Sequence, residues 1–532
     1  MTRRTRRFWG WGYEDHTVPE TSLAFAEASL AGLLGITPTR RAPPRLSDVS
    51  IPSPRFAAPT SLQASASTDA LDRLNHAMGK STLDVARAIR GRFPHVPDVV
   101  AFPSDEADVV RWLDFAAAER VAVIPYGGGS SVAGGVEPRI GETYRGVVSL
   151  DMTRMDRVLE IDDVSRAARI QGGALGPRLE EQLKASNLTL RHYPQSFEIS
   201  TLGGWIATRA GGHYATLATH IDDLVESVRV VTPSGVVATR RLPGSGAGPS
   251  PERLFIGSEG ALGVITEAWM RVVPRPTYRA SATVRFGSFE KGAAALRAIS
   301  QSGLYPTNAR LLDPAEAMLS GSGSGDAALL LLAFESADHA LEPWIRRAVE
   351  LARDHGGTVP DEKVRASHDP TGARDETADT YRKMFLEAPY LRDEIILRGA
   401  FVETYETATT WSALPRLDAA VRRAVASIEK GPHFLATRVT HAYPDGCAPY
   451  YTLVAGADEA DPEGQWQRIK EAITNAIVEA GGTSTHHHAV GRDVVPFYEQ
   501  ERDPLFAKAL ASVKATLDPA SIMNPGVLLR QR

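Results

Sequence analysis

A glycine cluster flanked by hydroxyl side chains is the group of residues best suited to bind a ligand. It reads Pro125-Tyr-Gly-Gly-Gly-Ser-Ser131 and is followed by Gly134 and Gly135. Consecutive glycines let backbone N–H groups converge on an anion such as a diphosphate, because no side chain obstructs the approach. The spacing matches neither the dinucleotide fingerprint nor the phosphate loop, and a plain turn between two elements is the alternative.

Two further segments place glycine beside small and hydroxyl residues, as close approach of a flat ring and a diphosphate demands. The first runs Gln195-Ser-Phe-Glu-Ile-Ser-Thr-Leu-Gly-Gly204 and leads to Thr208-Arg-Ala-Gly-Gly212. The second is Gly257-Ser-Glu-Gly-Ala-Leu-Gly-Val-Ile265. We expect these loops to support the glycine cluster in binding one ligand.

Two residues of the second half of the chain could act on a substrate. The phenol of Tyr450 needs a cationic neighbour to move protons near neutrality, because its ordinary pKa is about 10. Packing of Tyr450 in a strand is the alternative. Arg392 offers a guanidinium fork that suits a phosphate or a carboxylate. A salt bridge to Asp393 or Glu394 is its alternative.

The run His486-His-His488 is a third candidate. In an extended segment His486 and His488 would share one face, and His487 would lie on the other. Histidines without a carboxylate or another placed ligand are weak evidence for a metal, so no metal site is predicted. Surface decoration is the alternative to a functional role.

The elements that must position these groups have the pattern of an α+β fold. A strand within residues 97–103 precedes a helix that Ser104 can cap, with one apolar face formed by Val109, Trp112, Leu113 and Ala116. A buried strand at residues 121–125 leads directly into the glycine cluster. Between residues 147 and 238, short strands and two helices do not strictly alternate, which argues against a doubly wound parallel sheet.

Composition excludes several classes of protein. The 532 residues predict two to four domains at about 150 residues each. With 59 basic and 64 acidic residues, the net charge of −5 argues against a nucleic-acid partner. Cys447 is the single cysteine, which excludes an internal disulfide framework and a cysteine-ligated metal cluster.

The basic start, Met1-Thr-Arg-Arg-Thr-Arg-Arg7, is not followed by the apolar run of a secretory signal. We expect it to be solvated, with contact to an anionic membrane surface as the alternative. The sequence contains no apolar stretch of the ~18 residues that would span a bilayer. A cytoplasmic location is predicted.

Four blocks, in order along the chain, resemble the PCMH-type FAD-binding vanillyl-alcohol-oxidase superfamily and, within it, the alkyldihydroxyacetonephosphate synthase (alkylglycerone-phosphate synthase) family. They are Tyr126-Gly-Gly-Gly-Ser-Ser-Val-Ala-Gly-Gly-Val-Glu-Pro138, Phe197-Glu-Ile-Ser-Thr-Leu-Gly-Gly-Trp205, Gly257-Ser-Glu-Gly-Ala-Leu-Gly-Val-Ile-Thr-Glu267 and His486-His-His488. The resemblance extends from the segment Trp9-Gly-Trp-Gly-Tyr13 to Asn524. It implies an N-terminal helical and extended segment (1–92), an FAD-binding domain of two α+β subdomains (93–276), a cap domain with an antiparallel sheet flanked by helices (277–490), and a C-terminal helical segment (491–532) that returns to the FAD domain.

The resemblance also implies which residues contact FAD. These are Pro125, Tyr126, Gly127, Gly128, Gly129, Ser130 and Ser131 around the diphosphate; His192, Gln195, Ser196, Ser200, Thr201, Thr208, Arg209, Ala210 and Gly211 along the isoalloxazine and the middle of the cofactor; and Glu259, Gly260, Ala261, Leu262, Gly263, Val264 and Ile265 on the adenine side. His192 lies where some superfamily members attach the flavin covalently, but the synthase resemblance implies noncovalent FAD. Gln195 departs from the acidic residue that the family tends to carry.

The activity that the resemblance implies is a transfer without net redox. The acyl group of acyl-dihydroxyacetone phosphate is exchanged for a long-chain alcohol, which gives an ether lipid precursor. Tyr450 would move the proton, His486, His487 and His488 would activate the alcohol, and Arg392 would bind an anionic group of the substrate. A homodimer and, for lipid substrates, contact with a membrane surface are further expectations.

Two other hypotheses stay open. A 2-hydroxy-acid dehydrogenase or oxidase of the D-lactate or glycolate type shares the flavin loops and a His-Gly-Ile/Val-Gly element, here His488-Ala-Val-Gly491. Metal-dependent members carry His-x-x-Asp-Gly-x-x-His, whereas residues 441–450 lack the second histidine. A flavin-binding protein without turnover is the third hypothesis, and retention of Arg392, Tyr450 and the histidines argues against it.

Overall fold

The computed structural model describes residues 4–214, 216–368 and 376–530. The N-terminal part contains α1 (Glu20–Leu34), β1 (Ala66–Ser67), α2 (Ala70–Asn75) and α3 (Thr82–Ala88). The next part contains β2 (Val99–Ala101), α4 (Glu106–Glu119), β3 (Val121–Tyr126), β4 (Gly146–Asp151), β5 (Val158–Asp162), β6 (Ala167–Gln171), α5 (Gly176–Lys184), β7 (Leu188–Thr189), α6 (Leu202–Thr208), β8 (Val225–Thr232), β9 (Gly235–Ala238), β10 (Val264–Arg271) and β11 (Val273–Pro274).

The second half of the chain begins with a long strand. It contains β12 (Tyr278–Phe286), α7 (Phe289–Gln301), β13 (Asn308–Leu312), α8 (Pro314–Leu319), β14 (Ala328–Ser336), α9 (Glu342–Asp354), β15 (Arg365–Ser367), α10 (Glu376–Ile396), β16 (Ala400–Glu406), β17 (Thr409–Thr410), α11 (Leu414–Ile428), β18 (His433–Ala442), β19 (Gly446–Gly456) and α12 (Pro462–Glu479). The chain then ends with α13 (Val495–Glu501) and α14 (Pro504–Leu517).

A small sheet in the order β1-β2-β4-β3 presents the glycine cluster. Strands β2 and β3 both pair in parallel with β4, and β3 ends at Tyr126, so the glycines begin directly at the end of a buried strand. The helix α4 packs on this sheet with the predicted face, Val109, Trp112, Leu113 and Ala116. Its cap is Asp105 rather than the predicted Ser104, because the Asp105 side chain accepts the N–H of Asp108.

Two large antiparallel sheets and the two-stranded pair β11-β7 complete the described architecture. In the first half, β5-β6-β10-β8-β9 forms a sheet that packs on α5 and α6. In the second half the order is β15-β12-β14-β13-β18-β19-β16, with β17 paired to β19. Helices α7 and α9 pack on this sheet, and α11 and α12 form a further core with β16 and β19. The α+β fold with an antiparallel cap sheet is thereby confirmed.

The C-terminal residues return to the small sheet. Met523 pairs with Val123 of β3, and the N–H of Asn524 donates to the Val123 carbonyl at 2.9 Å. The side-chain amide of Asn524 donates to the carbonyls of Gly135 and Glu259, at 3.0 and 2.7 Å. Two of the predicted ligand loops are therefore held together by one asparagine, while the bounds of the four predicted segments stay a prediction.

The described part of the basic start is solvated only at Arg4 and Thr5, which are exposed, whereas the expectation from its charge was solvation throughout. Arg7 is 8% exposed, and Phe8, Trp9 and Trp11 behind it are buried. Arg6 donates from Nη1 to the carbonyl of Gly128 at 2.5 Å, because the aromatic residues anchor the segment against the glycine cluster. Among the described helices, none combines the length and apolarity needed to cross a bilayer.

Candidate functional site

The three predicted loops and the cap sheet enclose one cavity of about 350 Å³. Most of the predicted cofactor residues line it: Pro125, Tyr126, Gly127, Gly128, Gly129, Ser130, Ser131, Gln195, Ser196, Ser200, Thr201, Thr208, Ala210, Gly211, Glu259, Gly260, Gly263, Val264 and Ile265. The predicted reacting groups Tyr450, His487, His488 and Arg392 line the same cavity. The fold thus brings together residues that are more than 300 positions apart in the sequence.

The remaining predicted residues lie behind the wall, namely His192, Arg209, Ala261, Leu262 and His486. His192 is 1% exposed and packs 5.1 Å from the Trp205 ring, and burial lowers its pKa to about 3. The Arg209 side chain turns outward to Asp222. These residues support the loops that line the cavity.

The glycine cluster forms a cradle that side chains would close. A Cβ atom at Gly128 would lie 1.7 Å from the carbonyl oxygen of Ile199, and one at Gly129 would lie 1.8 Å from the Tyr126 hydroxyl. Gly129 also has φ of +68°, which disfavours other residues. The backbone therefore lies open to the cavity and pressed against the second loop, as close contact with a diphosphate requires.

Glu259 joins the third loop to the segment after the histidine run. Its carboxylate accepts the N–H groups of Val490 and Gly491, at 2.8 and 2.7 Å. Burial outweighs these two donors and raises the pKa of Glu259 to about 7. Glu259 thus places the second half of the chain against the glycine cluster.

Gln195 connects the second loop to the cap helix α10. Pro389 lies inside α10 and has no N–H, so the carbonyl of Phe385, four residues earlier, lacks its helical donor. The side-chain amide of Gln195 supplies that donor at 2.8 Å. An ionised acidic side chain at this position could not donate to that carbonyl, so a glutamine at 195 suits a proline at 389 in this chain.

Tyr450 faces the cavity under a guanidinium group. The Arg438 guanidinium lies 3.9 Å from the centre of the phenol ring and donates to Glu316 at 2.6 Å. Burial raises the pKa of Tyr450 above 10.0, and Arg438 opposes that rise. The resting phenol is therefore protonated, and the cation needed to stabilise its charged form is Arg438, which the sequence analysis did not identify.

Arg310 is a second cavity residue that the sequence analysis missed. It is 1% exposed on β13, and its guanidinium lies about 5 Å from the rings of Tyr381 and Phe385. Among the described residues, its Nε has no hydrogen-bond partner. Burial lowers its pKa from the ordinary value of 12.5. A buried cation with an unused donor is costly unless an anion binds it. The signal in the sequence is a single charge inside the apolar strand Asn308-Ala-Arg-Leu-Leu312.

Arg392 reaches the cavity wall with its donors occupied. Nε and Nη2 donate to Asp393 at 3.0 and 2.7 Å, and Nη1 donates to the carbonyl of Lys80 at 2.8 Å. Asp393 is fully buried and also accepts the N–H of Trp11. Arg392 thus ties α10 to the N-terminal segment, and its predicted contact with a substrate anion stays a prediction.

The histidine run curls around a buried carboxylate. Glu406 accepts the N–H groups of His486, His487 and His488 at 2.6, 3.1 and 3.0 Å, and the Thr485 hydroxyl at 2.5 Å. Burial alone would raise the pKa of Glu406, but the imidazoles and these donors outweigh it and keep the pKa below 4.5. The expected strand-like alternation is therefore wrong, and His487 and His488 face the cavity together.

Hydrogen bonds fix which nitrogen of His487 carries its proton. Burial lowers the pKa values of His220, His486 and His487, so each ring is neutral with one N–H. The carbonyl of Arg209 can only accept, at 3.0 Å, so His220 is protonated on Nδ1 and leaves Nε2 as an acceptor. His486 then donates from Nε2, at 3.0 Å, to His220, and its Nδ1 accepts from Nδ1 of His487 at 2.9 Å.

The end of this chain is a base that faces the cavity. With its proton on Nδ1, His487 keeps its lone pair on Nε2, which makes no hydrogen bond to the described residues. The Tyr443 hydroxyl oxygen lies 2.7 Å from Nε2 of His486 and accepts the same N–H that donates to His220. A neutral imidazole, a protonated phenol and a buried guanidinium therefore surround one cavity beside the glycine cradle.

Two family models match the chain. The model described as FAD binding domain matches residues 97–240, and the model described as FAD linked oxidases, C-terminal domain, matches residues 275–528. The glycine cradle lies in the first match, and Arg310, Tyr450 and the histidine run lie in the second. FAD is thus the cofactor of this chain, and the open cradle fits its diphosphate.

Individual proteins are similar over most of the chain. Alkyldihydroxyacetonephosphate synthase of Trypanosoma brucei brucei is 32% identical over 478 residues, which are 87% of this chain and 78% of the relative. The mitochondrial D-lactate dehydrogenase (cytochrome) of Arabidopsis thaliana is 27% identical over 489 residues, 88% of this chain and 79% of that protein. A solved structure of an alkyldihydroxyacetonephosphate synthase has a TM-score of 0.79 and 26% identity, and covers 98% of both chains.

Proposed function

The chain belongs to the alkyldihydroxyacetonephosphate synthase family, and from that membership we propose that it exchanges the acyl group of acyl-dihydroxyacetone phosphate for a long-chain alcohol. The bond from carbon to the acyl oxygen breaks, and a bond from the same carbon to the alcohol oxygen forms. The proton of the alcohol leaves with the fatty acid, so the exchange has no net redox. The product is an ether lipid precursor.

The observation that carries this proposal is an anion site beside an apolar wall. The buried cation Arg310 lines one side of the cavity, and its Nε is unpaired among the described residues. Apolar side chains of α8, α10 and β19 form another side: Leu319, Met384, Phe385, Leu391, Ile395 and Val454. A phosphate head with a hydrocarbon chain needs both surfaces, whereas a small hydroxy acid needs only the first.

The residues of this chain divide the proton transfers between them. Nε2 of His487 accepts a proton, because its hydrogen bonds leave the lone pair there. Oη of Tyr450 is protonated at rest. It gives up this proton and regains it during the exchange, and Arg438 stabilises the phenolate in between. Arg310 binds the phosphate. When bound, FAD supplies an electrophilic ring that allows the two oxygen substituents to be exchanged without net redox.

The alternative is a flavin-linked 2-hydroxy-acid dehydrogenase or oxidase, favoured by the 27% identity to the D-lactate dehydrogenase. One anaerobic experiment separates the two. We expect purified yellow protein to release fatty acid from acyl-dihydroxyacetone phosphate in the presence of a fatty alcohol, and to keep its flavin oxidised in D-lactate or glycolate. Bleaching of the flavin absorbance by either hydroxy acid, without fatty acid release, would contradict the synthase activity and support the dehydrogenase.

Three further properties belong to the proposal. The flavin is held noncovalently, which the placement of His192 behind the cavity wall supports. The protein is a cytoplasmic homodimer. Its lipid substrates favour contact with a membrane surface.

Removal of the Arg310 charge should specifically weaken binding of the phosphate substrate. We expect Arg310→Leu to lower kcat/KM about 10–100-fold, since a charge-assisted hydrogen bond contributes about 1.5–3 kcal/mol. Flavin content should not change. Arg297→Leu, on the exposed face of α7, is the matched control. Steady-state kinetics of both variants check this result. Equal kcat/KM values in the two variants would show that Arg310 does not bind the phosphate.

The pH profile should report the buried base. Burial lowers the pKa of His487 well below 6.5, and the base works only when unprotonated. Because its pKa is lowered, the imidazole stays unprotonated, and the base stays active, as the pH falls. We therefore expect the acid limb of kcat/KM to lie below pH 6.5, measured over a range in which the flavin spectrum is constant. An acid limb at or above the ordinary imidazole pKa would contradict the assignment of His487.

A further inference from the structure

Three histidines converge on one point at the cavity wall, and we propose that they form a binding site for a divalent transition-metal ion of the Zn²⁺, Co²⁺ and Ni²⁺ class. One ring nitrogen from each of His441, His486 and His487 lies within 4.8 Å of the others. No metal site was predicted from the sequence, because histidines without a carboxylate or another placed ligand are weak evidence for one. His441 lies 45 positions from His486 in the sequence. The curled run around Glu406 and the end of β18 bring the rings together.

The distances suit a metal that replaces shared protons. A tetrahedral zinc site has metal–nitrogen distances of about 2.0–2.1 Å, which places its ligand nitrogens about 3.3 Å apart. Nδ1 of His486 and Nδ1 of His487 are 2.9 Å apart, so this pair is already close to that geometry. The ligand nitrogen of His441 lies within 4.8 Å of the other two, so its ring must approach them for an ion to bind all three. His441 and His487 line the cavity, which leaves the fourth position on the cavity side.

The surroundings orient the rings as metal ligands are usually oriented. Metal-bound histidines commonly donate their second N–H to a carbonyl or another acceptor. Nε2 of His441 donates to the Gly212 carbonyl at 2.9 Å, and Nε2 of His486 donates to His220. The lone pair of His486 on Nδ1 is therefore held toward the proposed ion.

Charges near the site act in both directions. Glu406 Oε2 lies 3.4 Å from Nδ1 of His487 and offsets part of the charge of a dication. Arg310 and Arg438 repel it, as they repel protons on His441 and His487.

Occupation of the site would change the state of His487. A metal on Nδ1 displaces the proton of that nitrogen, and the neutral ring then carries its proton on Nε2. The lone pair that faces the cavity is lost. A bound ion would therefore suppress the base that the proposed function uses, and a chelator would restore it.

The test measures binding without substrate, so its outcome does not depend on the synthase activity. Untagged, flavin-loaded protein is stripped with a chelator, desalted and titrated with Co²⁺, whose d–d absorption lies at longer wavelengths than the flavin bands, and with Zn²⁺ by calorimetry. We expect one ion per chain. His441→Asn and His487→Gln should each weaken binding about tenfold or more.

His433→Ala is the matched control, since His433 is exposed at the other end of β18. It should bind the ion as the unaltered protein does. The flavin absorbance of each variant shows that it is folded, and His487→Gln, which alters a side chain on the cavity wall, gives the answer if His441→Asn does not fold. No binding by the unaltered protein, or equal binding by the His487→Gln variant, would overturn the proposed site.

Discussion

Replacement of Gly128 by alanine should give a folded protein that is purified almost free of flavin. The added methyl group would lie 1.7 Å from the carbonyl oxygen of Ile199, and a backbone atom cannot move aside without moving the second loop. The cradle must then open, and its N–H groups lose their common direction toward the diphosphate. We expect the flavin-to-protein absorbance ratio to fall about tenfold or more, which corresponds to at least ~1.4 kcal/mol of binding free energy.

Gly246→Ala is the control for this change, because an added Cβ at Gly246 meets no atom within 4 Å. It should be as yellow as the unaltered protein. Circular dichroism and the thermal melting temperature establish that both variants fold. A Gly128→Ala variant with full flavin content would show that the cradle is not the cofactor site.

Tyr450→Phe should nearly abolish turnover while leaving the flavin in place. The substitution removes one oxygen from the cavity, and the guanidinium of Arg438 still stacks on the ring. A positioned proton donor contributes about 10²–10⁴-fold to a rate, so kcat should fall by that factor. Fatty acid release measured at saturating substrate, together with the flavin spectrum, checks both halves of the expectation.

The neighbouring Tyr451 provides a matched control in the same strand. Its side chain points to the other side of β19, where it packs with Leu417, Val421 and Ile473. Tyr451→Phe should retain activity, because its hydroxyl lies in that core and not in the cavity. Equal loss of turnover in the two variants would indicate a packing defect, and retained turnover in Tyr450→Phe would remove Tyr450 from the proton transfers.

Local patterns predicted the fold well where periodicity and burial coincide. The apolar face of α4 and the buried strand before the glycine cluster are in the structure where the sequence places them. Helix α14 shows where such spacing falls short: Phe506, Leu510, Val513 and Leu517 share one face, but Phe506 is 55% exposed and the other three are only partly buried against the core. Amphipathic spacing indicates a face, but it does not state what covers the face.

The site was predictable in its glycine loops and much less so in its reacting groups. Sequence motifs specify a backbone that must approach a ligand, as in residues 125–131. They do not specify which charges remain unpaired after folding. Among the described residues, Arg310 keeps a donor without a partner, whereas the donors of Arg392 are occupied. The same holds for the histidines, because the tautomer of His487 depends on a carbonyl at Arg209, 278 positions earlier.

The contact between Gln195 and the cap helix constrains how this protein can be recombined with its relatives. The amide at 195 serves the carbonyl that Pro389 leaves without a donor, so the two residues act as one unit although 194 positions separate them. A chimaera with an acidic residue at 195 from a relative and α10 from this chain would place a carboxylate against the Phe385 carbonyl, and neither group could donate a hydrogen bond. Crossover points between these positions should therefore give poorly assembled hybrids, unless glutamine and proline are inherited together.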